Sequence, residues 1–452
     1  MKENDILTIK IDDIGMNGEG IGHTEGYTLF IPFSLVDETV VVRITHVKKS
    51  LAYGVLKSII HPSPYRKISE CPYFSKCGGC DYLHLDYLKQ LDYKKNALSL
   101  SLNKSITNLS LKIDDVIPSQ KILYYRNKIQ LPFGVHNKVA VLGFFQEKTH
   151  QVVPIKNCIL HGDWAEKLIL LVLAFVIKTK QTIFNEKTAS GTMRYLIGRY
   201  IDNILSVTLV INADYLKQID ILVESLKSAF GPFTTLHLSI NKKQNNIVLG
   251  DKTIDILGKK QMITISGISL ELSPNSFFQV NDYIREKLYD KIIKNILLTE
   301  NPIVIDAFGG VGLLGAMLAK ANARVYTIEI MPDAVLDSKK MFKLNNIEAE
   351  HLLGDTSVKL PLLLTQLINS GVKTINLILD PPRKGISDVL ISSLLKIKNI
   401  SLSIYYISCN PATLSRDLAL LLPTYSIEFI TPFDMFSQTR HLETLVKLNL
   451  YK

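Results

Sequence analysis

A chain of 452 residues with 47% hydrophobic and 21% charged residues has the balance of an ordinary globular protein, long enough for two or three cores and neither disordered nor fibrous. Its longest apolar stretch, 168–177, falls short of the roughly 18–20 residues a membrane span needs, and the opening MKENDILTIKID lacks the apolar region of a signal peptide, so a cytoplasmic location with no membrane partner is expected. The formal charge of +10 is unevenly placed: residues 101–260 carry 21 Lys and Arg against 12 Asp and Glu, while the segments on either side are close to neutral, a distribution suited to a polyanion held by the middle of the chain.

Residues 1–62 alternate the short apolar runs LTIKIDDI, YTLFIP, ETVVVRITHV and LAYGVLKSII with polar or glycine-rich turns such as GMNGEGIGH. About five short strands in that length predict a small closed β-barrel of the oligonucleotide-binding (OB) kind. HPSPYR, with two prolines in three residues, suits neither helix nor central strand and reads as a linker. From 66 to 262 the pattern is mixed α+β, with a cysteine-rich start, helical periodicity near 85–102 and strand-like KIQLPF, VAVLGFF and ILSVTLVI. From 263 to 452 strand and helix signals alternate, which predicts a Rossmann-like, doubly wound parallel sheet. The chain is therefore expected to be α/β overall, divided at 1–62, 66–262 and 263–452.

In the third segment an apolar strand, Ile303 to Ile305, ends at Asp306, glycines 309, 310 and 312 make a turn, and a second strand, Val325 to Ile328, ends at Glu329. A carboxylate about 20 residues past such glycines is placed to accept both hydroxyls of a ribose. GVGLLG at 310–315 also matches the dinucleotide fingerprint G-x-G-x-x-G, so a dehydrogenase has to be weighed. Asp306 immediately before the loop, the Gly354-Asp355 pair and DPPR at 380–383 favour S-adenosylmethionine instead, since each falls at the carboxyl end of a strand.

The five cysteines divide four plus one. Cys71, Cys77 and Cys80 form C-x5-C-x2-C, and Cys158 is the other cysteine upstream of the expected sheet. Four such thiolates suit a [4Fe-4S] cluster or a structural zinc; the C-x3-C-x2-C spacing of radical chemistry is not present. Cys409 ends the apolar run Ile404 to Ile407 and is followed by Pro411, which displays its thiol at the ligand-binding edge of the sheet. Its place after DPPR and before NPATL reads as a nucleophile rather than an inert buried thiol.

These segments resemble one family over essentially the whole chain. GMNGEGIGH, C-x5-C-x2-C with a distant fourth cysteine, YYRNKIQLPF, SPNSFFQVN at 273–281, the glycine loop, LDPPRKG at 379–385, SCNPATLSRD at 408–417 and HLETL at 441–445 are similar to the RNA (uracil-5-)-methyltransferases, specifically the 23S ribosomal RNA branch with an N-terminal TRAM barrel and an iron–sulfur cluster. The resemblance implies Cys409 as nucleophile and Glu443 as catalytic base. It also implies cofactor contacts by Gln279, Phe308, Glu329, Asp355 and Asp380, and a [4Fe-4S] cluster, rather than zinc, on Cys71, Cys77, Cys80 and Cys158. Two segments depart from the pattern. The loop carries Leu313 where the family often has a polar residue, and MFSQTR before HLETL lacks the family's aromatic and proline residues.

The chemistry follows from the residues. Uracil C5 is a poor nucleophile, and thiolate addition at C6 turns it into an enolate carbon able to attack a sulfonium methyl group; the C5 proton then leaves to a base such as Glu443. Asp380 could accept a hydrogen bond from uracil N3–H or position the cofactor. A uridine in a stem must be extruded first, and Arg126, Lys128, Arg194 and Arg199 are candidate phosphate contacts. The expected activity is thus methylation of a specific uridine in 23S ribosomal RNA, with no obligate protein partner indicated. The alternatives are the same chemistry in the T loop of transfer RNA, and a noncatalytic iron–sulfur RNA-binding protein.

Overall fold

The computed structural model describes residues 1–107, 110–147, 149–258, 260–274 and 276–451. The N-terminal strands β1 (Ile6–Lys10), β2 (Asp13–Ile14), β3 (Gly20–Thr24), β4 (Tyr27–Ile31), β5 (Thr39–Val47) and β6 (Leu51–His61) form one sheet in the order β1-β5-β6-β4-β3-β2. Period-two alternation turns Ile9, Leu29, Ile31, Val40, Val42 and Ile44 into a common core. Strand β3 lies in the glycine-rich stretch expected to be a turn. Its glycines serve close packing of strands: a Cβ on Gly20 would lie 2.1 Å from Ser34 Oγ, and one on Gly22 would lie 2.6 Å from the carbonyl of Lys10.

Helix α1 (Tyr87–Ser105) follows, capped by Asp86, whose carboxylate accepts from the amide of Leu88 at 3.0 Å. The central sheet is built from β7 (Lys128–His136), β8 (Val139–Phe145), β9 (Val152–Pro154), β10 (Met193–Ile201), β11 (Ile204–Ile211), β12 (Thr235–Ile240) and β13 (Lys252–Leu257), in the order β13-β12-β11-β10-β7-β8-β9. Helices α2 (Asp163–Lys178) and α3 (Ile219–Phe230) pack their apolar stripes on it. The apolar stretch 168–177 is thus a core helix, and among the described residues no helix is long and apolar enough to cross a membrane.

A hairpin, β14 (Gln261–Ile265) and β15 (Ile268–Leu272), and helix α4 (Asp282–Ile296) lead into the third sheet. Its elements alternate: β16 (Ile303–Ala307), α5 (Leu313–Lys320), β17 (Arg324–Glu329), α6 (Pro332–Leu344), β18 (Glu350–Leu353), α7 (Thr356–Asn369), β19 (Thr374–Leu379), α8 (Asp388–Leu394), β20 (Ser401–Ser408), α9 (Pro411–Leu421), β21 (Tyr425–Phe433) and β22 (Glu443–Leu450). The order is β18-β17-β16-β19-β20-β22-β21, and β22 runs antiparallel to both its neighbours. Apolar side chains cover both faces of the sheet, as a parallel sheet requires. The α/β class, the N-terminal barrel-like sheet and the Rossmann-like C-terminal sheet are as the sequence predicts. Strand order reverses between β16 and β19, which opens the crevice where such sheets hold ligands.

Helix α1 packs against this third sheet: Leu98 and Leu102 join the core that contains Leu414 and Leu418 of α9, and Ser415 Oγ donates to the carbonyl of Ser101 at 2.7 Å.

Candidate active site

The crevice begins at Asp306, near the end of β16. Its carboxyl is pushed up to about 7, chiefly by burial and further by Glu329, against the opposing backbone N–H of Gly315. The chain then turns through left-handed conformations at Phe308 (φ +63°), Gly310 (+56°) and Gly312 (+78°). Phe308, having a Cβ, is strained there, a mark of a loop shaped by its function. A Cβ at Gly312 would lie 2.6 Å from Ser338 Oγ, so this turn into α5 admits only glycine. Leu313, the departure from the family pattern, opens α5 as a buried core residue.

Glu329 ends β17 and accepts the amides of Gly310 at 3.0 Å and Met331 at 2.8 Å. Each carboxylate oxygen keeps a further acceptor site, which fits the two hydroxyls of an adenosine ribose. Asp355, exposed at the end of β18, caps α7 by accepting from the amide of Ser357 at 2.7 Å. Gln279 is buried, and its carbonyl accepts from Asn127 Nδ2 at 3.0 Å, which ties the SPNSFFQVN and YYRNK segments together. Asn275 of that segment lies outside the described residues. Paired acceptors on Glu329, a glycine-lined turn and the crevice between β16 and β19 fit the nucleoside part of S-adenosylmethionine.

The catalytic side is built by strand register. Ser408, the last residue of β20, pairs with Thr444 of β22, which brings the next residue, Cys409, near enough to Glu443 for its charge to act on the thiol. Burial, the charge of Glu443 and that of Asp380 push the Cys409 thiol up to about 11, while Arg383 opposes them through its charge and a hydrogen bond to the thiol. Glu443 is 3% exposed; burial and then Asp380 hold its carboxyl well above the usual range, with Arg383 again opposing. Asp380 follows β19 and is raised by burial and by Asp306. It therefore links the cofactor loop to the thiol.

Two participants escaped the sequence reading. Arg383 was visible inside LDPPRKG but carried no assigned role, although its side chain reaches Cys409. Its carbonyl also accepts from Asn410 Nδ2 at 3.0 Å and Thr413 Oγ1 at 3.1 Å, binding its loop to the start of α9. Tyr289 of α4 feels Asp380, Asp306 and Glu443, and burial followed by Asp380 raises its phenol; no motif marks it. The MFSQTR segment is held rigidly despite its departure from the family pattern. Asp434 just before it, fully buried, receives Lys94 Nζ at 2.5 Å, Tyr87 Oη at 2.8 Å and Ser437 Oγ at 2.5 Å.

Other expectations are corrected. Cys71, Cys77, Cys80 and Cys158 line one small hollow with Phe144, Ile155 and Leu160, yet all are free thiols, and among the described residues no group of three or more His, Cys, Asp or Glu is arranged to hold a metal ion. The [4Fe-4S] and zinc readings both fall on this, and the iron–sulfur RNA-binding alternative with them. Two of the proposed phosphate contacts serve the fold instead. Arg194 is 6% exposed and donates to the carbonyls of Asn241 and Lys243, both at 2.8 Å, and Arg199 is 4% exposed and donates to those of Ser273 and Ser276.

Residues 86–450 match the tRNA (uracil-5-)-methyltransferase family model, and residues 2–57 match the TRAM domain. An uncharacterized RNA methyltransferase of Clostridium acetobutylicum is 33% identical over 99% of this chain and 97% of its own length. Another, of Fusobacterium nucleatum, is 34% identical over 98% and 95%. The crystal structure of Pyrococcus abyssi tRNA (uracil-54, C5)-methyltransferase, in complex with S-adenosyl-L-homocysteine, superposes with a TM-score of 0.76 at 26% identity, covering 98% of this chain and 99% of that one. The expected 23S ribosomal branch and ribosomal RNA partner are corrected by these matches, in which the family model and the solved relative both carry transfer RNA in their names. The chain belongs to the tRNA (uracil-5-)-methyltransferase family and is an S-adenosylmethionine-dependent RNA (uracil-5-)-methyltransferase.

Proposed function

We propose that this enzyme methylates C5 of a uridine in the T loop of transfer RNA, with Cys409 as nucleophile and Glu443 as proton acceptor. The observation that supports this reading is the pairing of Ser408 with Thr444, beside which the Cys409 thiol feels both Glu443 and Arg383. The choice of RNA is supported by similarity to the Pyrococcus abyssi transfer RNA enzyme. On this reading residues 1–62 and 66–262 grip the RNA, residues 263–452 carry the chemistry, and the enzyme works in the cytoplasm.

Arg383 favours the thiolate of Cys409, whose sulfur adds to C6 of the extruded uracil and places an enolate at C5–C4–O4. S-adenosylmethionine supplies the methyl group that C5 takes up. Glu329 and Asp355 hold its ribose and adenine ends, with Gln279 and Phe308 closing the site. Asp380, between Asp306 and Glu443, accepts uracil N3–H and fixes the ring. Glu443 then removes the C5 proton, the C5–C6 double bond re-forms, and the thiolate of Cys409 leaves C6.

The test uses transfer RNA carrying 5-fluorouridine, in which the C5 proton is replaced and elimination is blocked. A denaturation-resistant adduct that disappears in Cys409→Ala is the expected result, together with loss of 5-methyluridine from transfer RNA when the enzyme is removed. Wild-type rates in Cys409→Ala, or transfer RNA whose 5-methyluridine is unaffected by removal of the enzyme, would overturn the proposal.

A further inference from the structure

The N-terminal sheet carries a feature that its core does not use. Strand register pairs Phe30 of β4 with Tyr53 of β6, and Tyr53 with His46 of β5, so three rings from three adjacent strands stand in a row on one face. Phe30 and Tyr53 stack with centroids 5.5 Å apart and planes 24° apart; Tyr53 and His46 stack at 6.4 Å and 28°. Leu29, Ile44 and Ala52, adjacent in sequence or nearly so, point the other way and fill the core. The three rings instead line an open cavity of about 330 Å³, and Lys48 Nζ stands 5.9 Å from the Tyr53 centroid.

We propose that Phe30, Tyr53 and His46 form a stacking subsite for unpaired bases that neighbour the target uridine in the RNA substrate. Every base has a π-face, so an unpaired base can extend a row of near-parallel, stacked rings without its sequence being read. The charges around the cavity fit bases rather than phosphates. Glu19, Asp81 and Glu147 share the wall with Arg440, which bonds Asp81 at 2.8 Å, whereas Lys48 and Lys49 are exposed on the turn beyond β5.

The segment that fronts the cavity leads along the chain into the catalytic side. Arg440 fronts the cavity, while the next residue, His441, has its imidazole pushed down to about 4 by burial and then by the charge of Arg383, the residue bonded to the Cys409 thiol. Glu443 follows two residues on. A strand that delivers an extruded uridine to Cys409 thus passes from one side of this segment to the other, its unpaired neighbours within reach of the rings.

This inference rests on the RNA-methylating reading above and deepens it. Its test measures the affinity of the full chain for a short single-stranded RNA oligonucleotide without cofactor, and separately kcat and KM on transfer RNA. Tyr53→Ala and Phe30→Ala should each weaken oligonucleotide binding by roughly 5- to 150-fold, the range of base–aromatic stacking. Tyr53→Phe should keep wild-type affinity, and kcat at saturating transfer RNA should be unchanged in all three. His46→Ala, at an exposed position where the imidazole also meets Glu3 at 3.1 Å, should raise the dissociation constant in the same direction. Alanine variants within about twofold of wild type, or a Tyr53→Phe loss as large as that of Tyr53→Ala, would overturn the subsite. A wild type that binds the oligonucleotide yet leaves transfer RNA unmethylated would instead refute the choice of substrate and leave the subsite standing.

Discussion

Replacing Glu443 by Gln separates the two halves of the reaction. Glutamine matches glutamate in size, so the side chain at this 3%-exposed position should pack as before while losing its ability to take a proton. The first half does not need that ability. Removing the carboxylate also removes one of the influences that hold the Cys409 thiol up at about 11, so thiolate formation and addition to C6 should be no slower than in wild type. The second half does need it: a positioned general base contributes roughly 10²- to 10⁴-fold, or about 3–5 kcal/mol of barrier. Turnover should fall by that factor while a covalent complex builds up. Glu443→Gln incubated with transfer RNA and S-adenosylmethionine should therefore give a slow-migrating species on a denaturing gel, absent when Cys409→Ala is added to the same chain. Digestion and mass measurement should find a methylated uridine on the Cys409 peptide. Turnover within about fivefold of wild type, or an adduct lacking the methyl group, would refute the assignment of Glu443 to proton removal.

Arg383→Ala removes the group that opposes the rise of the Cys409 thiol; because the thiolate is the active form, the rising limb of kcat/KM against pH should move to higher pH, with about tenfold lost at neutral pH per unit of movement, and an unmoved limb would show that Arg383 does not tune the nucleophile. Asp306, held near 7 from an ordinary 3.8 by burial, withdraws stability as pH rises from about 4 through 7, since the folded state must ionise a buried acid; Asp306→Asn should be more stable than wild type by roughly 4 kcal/mol at pH 8 in denaturant titrations without cofactor, with the gain fading toward pH 4. Lys94→Met leaves Asp434 buried without its ammonium partner, and should cost about 3–5 kcal/mol in the same titrations; a loss below about 1 kcal/mol would mean that Asp434 is satisfied by Tyr87 and Ser437 alone.

Local pattern carried the fold well where one element explains itself. The run Ile303 to Asp306, the glycines and the strand to Glu329 could be placed from the sequence because strand, turn and helix signals follow one another along the chain. The glycine-rich stretch at 15–23 misled for the same reason: glycine marks turns locally, but Gly20 and Gly22 are small because Ser34 and Lys10 approach them from elsewhere in the chain. The cysteines show the converse limit. Spacing suggested a ligand set, yet whether four thiols become ligands depends on their geometry and burial, which spacing does not contain. Arg194 and Arg199 looked like phosphate contacts because they are basic and lie in a basic region; the carbonyls that bind them at 241–243 and 273–276 are far away in sequence. Arg383 and Tyr289 were missed likewise, since only the folded sheet edge brings the loop after β19 to Cys409 and α4 to the buried acids Asp380, Asp306 and Glu443.

What the assembled edge adds is an electrostatic arrangement that no single motif expresses. Asp306, Asp380 and Glu443 are each raised by burial, and Glu329, Asp306 and Asp380 in turn add to the rise, so burial and mutual charge both disfavour ionising all three. Arg383 opposes this at both Glu443 and Cys409. Such a pocket favours a positive ligand, because a cation lowers the cost of ionising every carboxylate around it. The methyl donor would bring a sulfonium that is positive before transfer and neutral after it, so carboxylates holding it would lose a counter-charge once the methyl has moved. The proposed base Glu443, beside Asp380, would then be flanked by uncompensated acid, which would strengthen it at the step where the C5 proton leaves. On the proposed assignment of Glu443 as base, this charge balance would make the acids easiest to ionise before transfer and Glu443 the strongest base after it. The Asp306→Asn comparison tests the premise, because a stability gain that does not grow with pH would mean that these acids are not held in their neutral form.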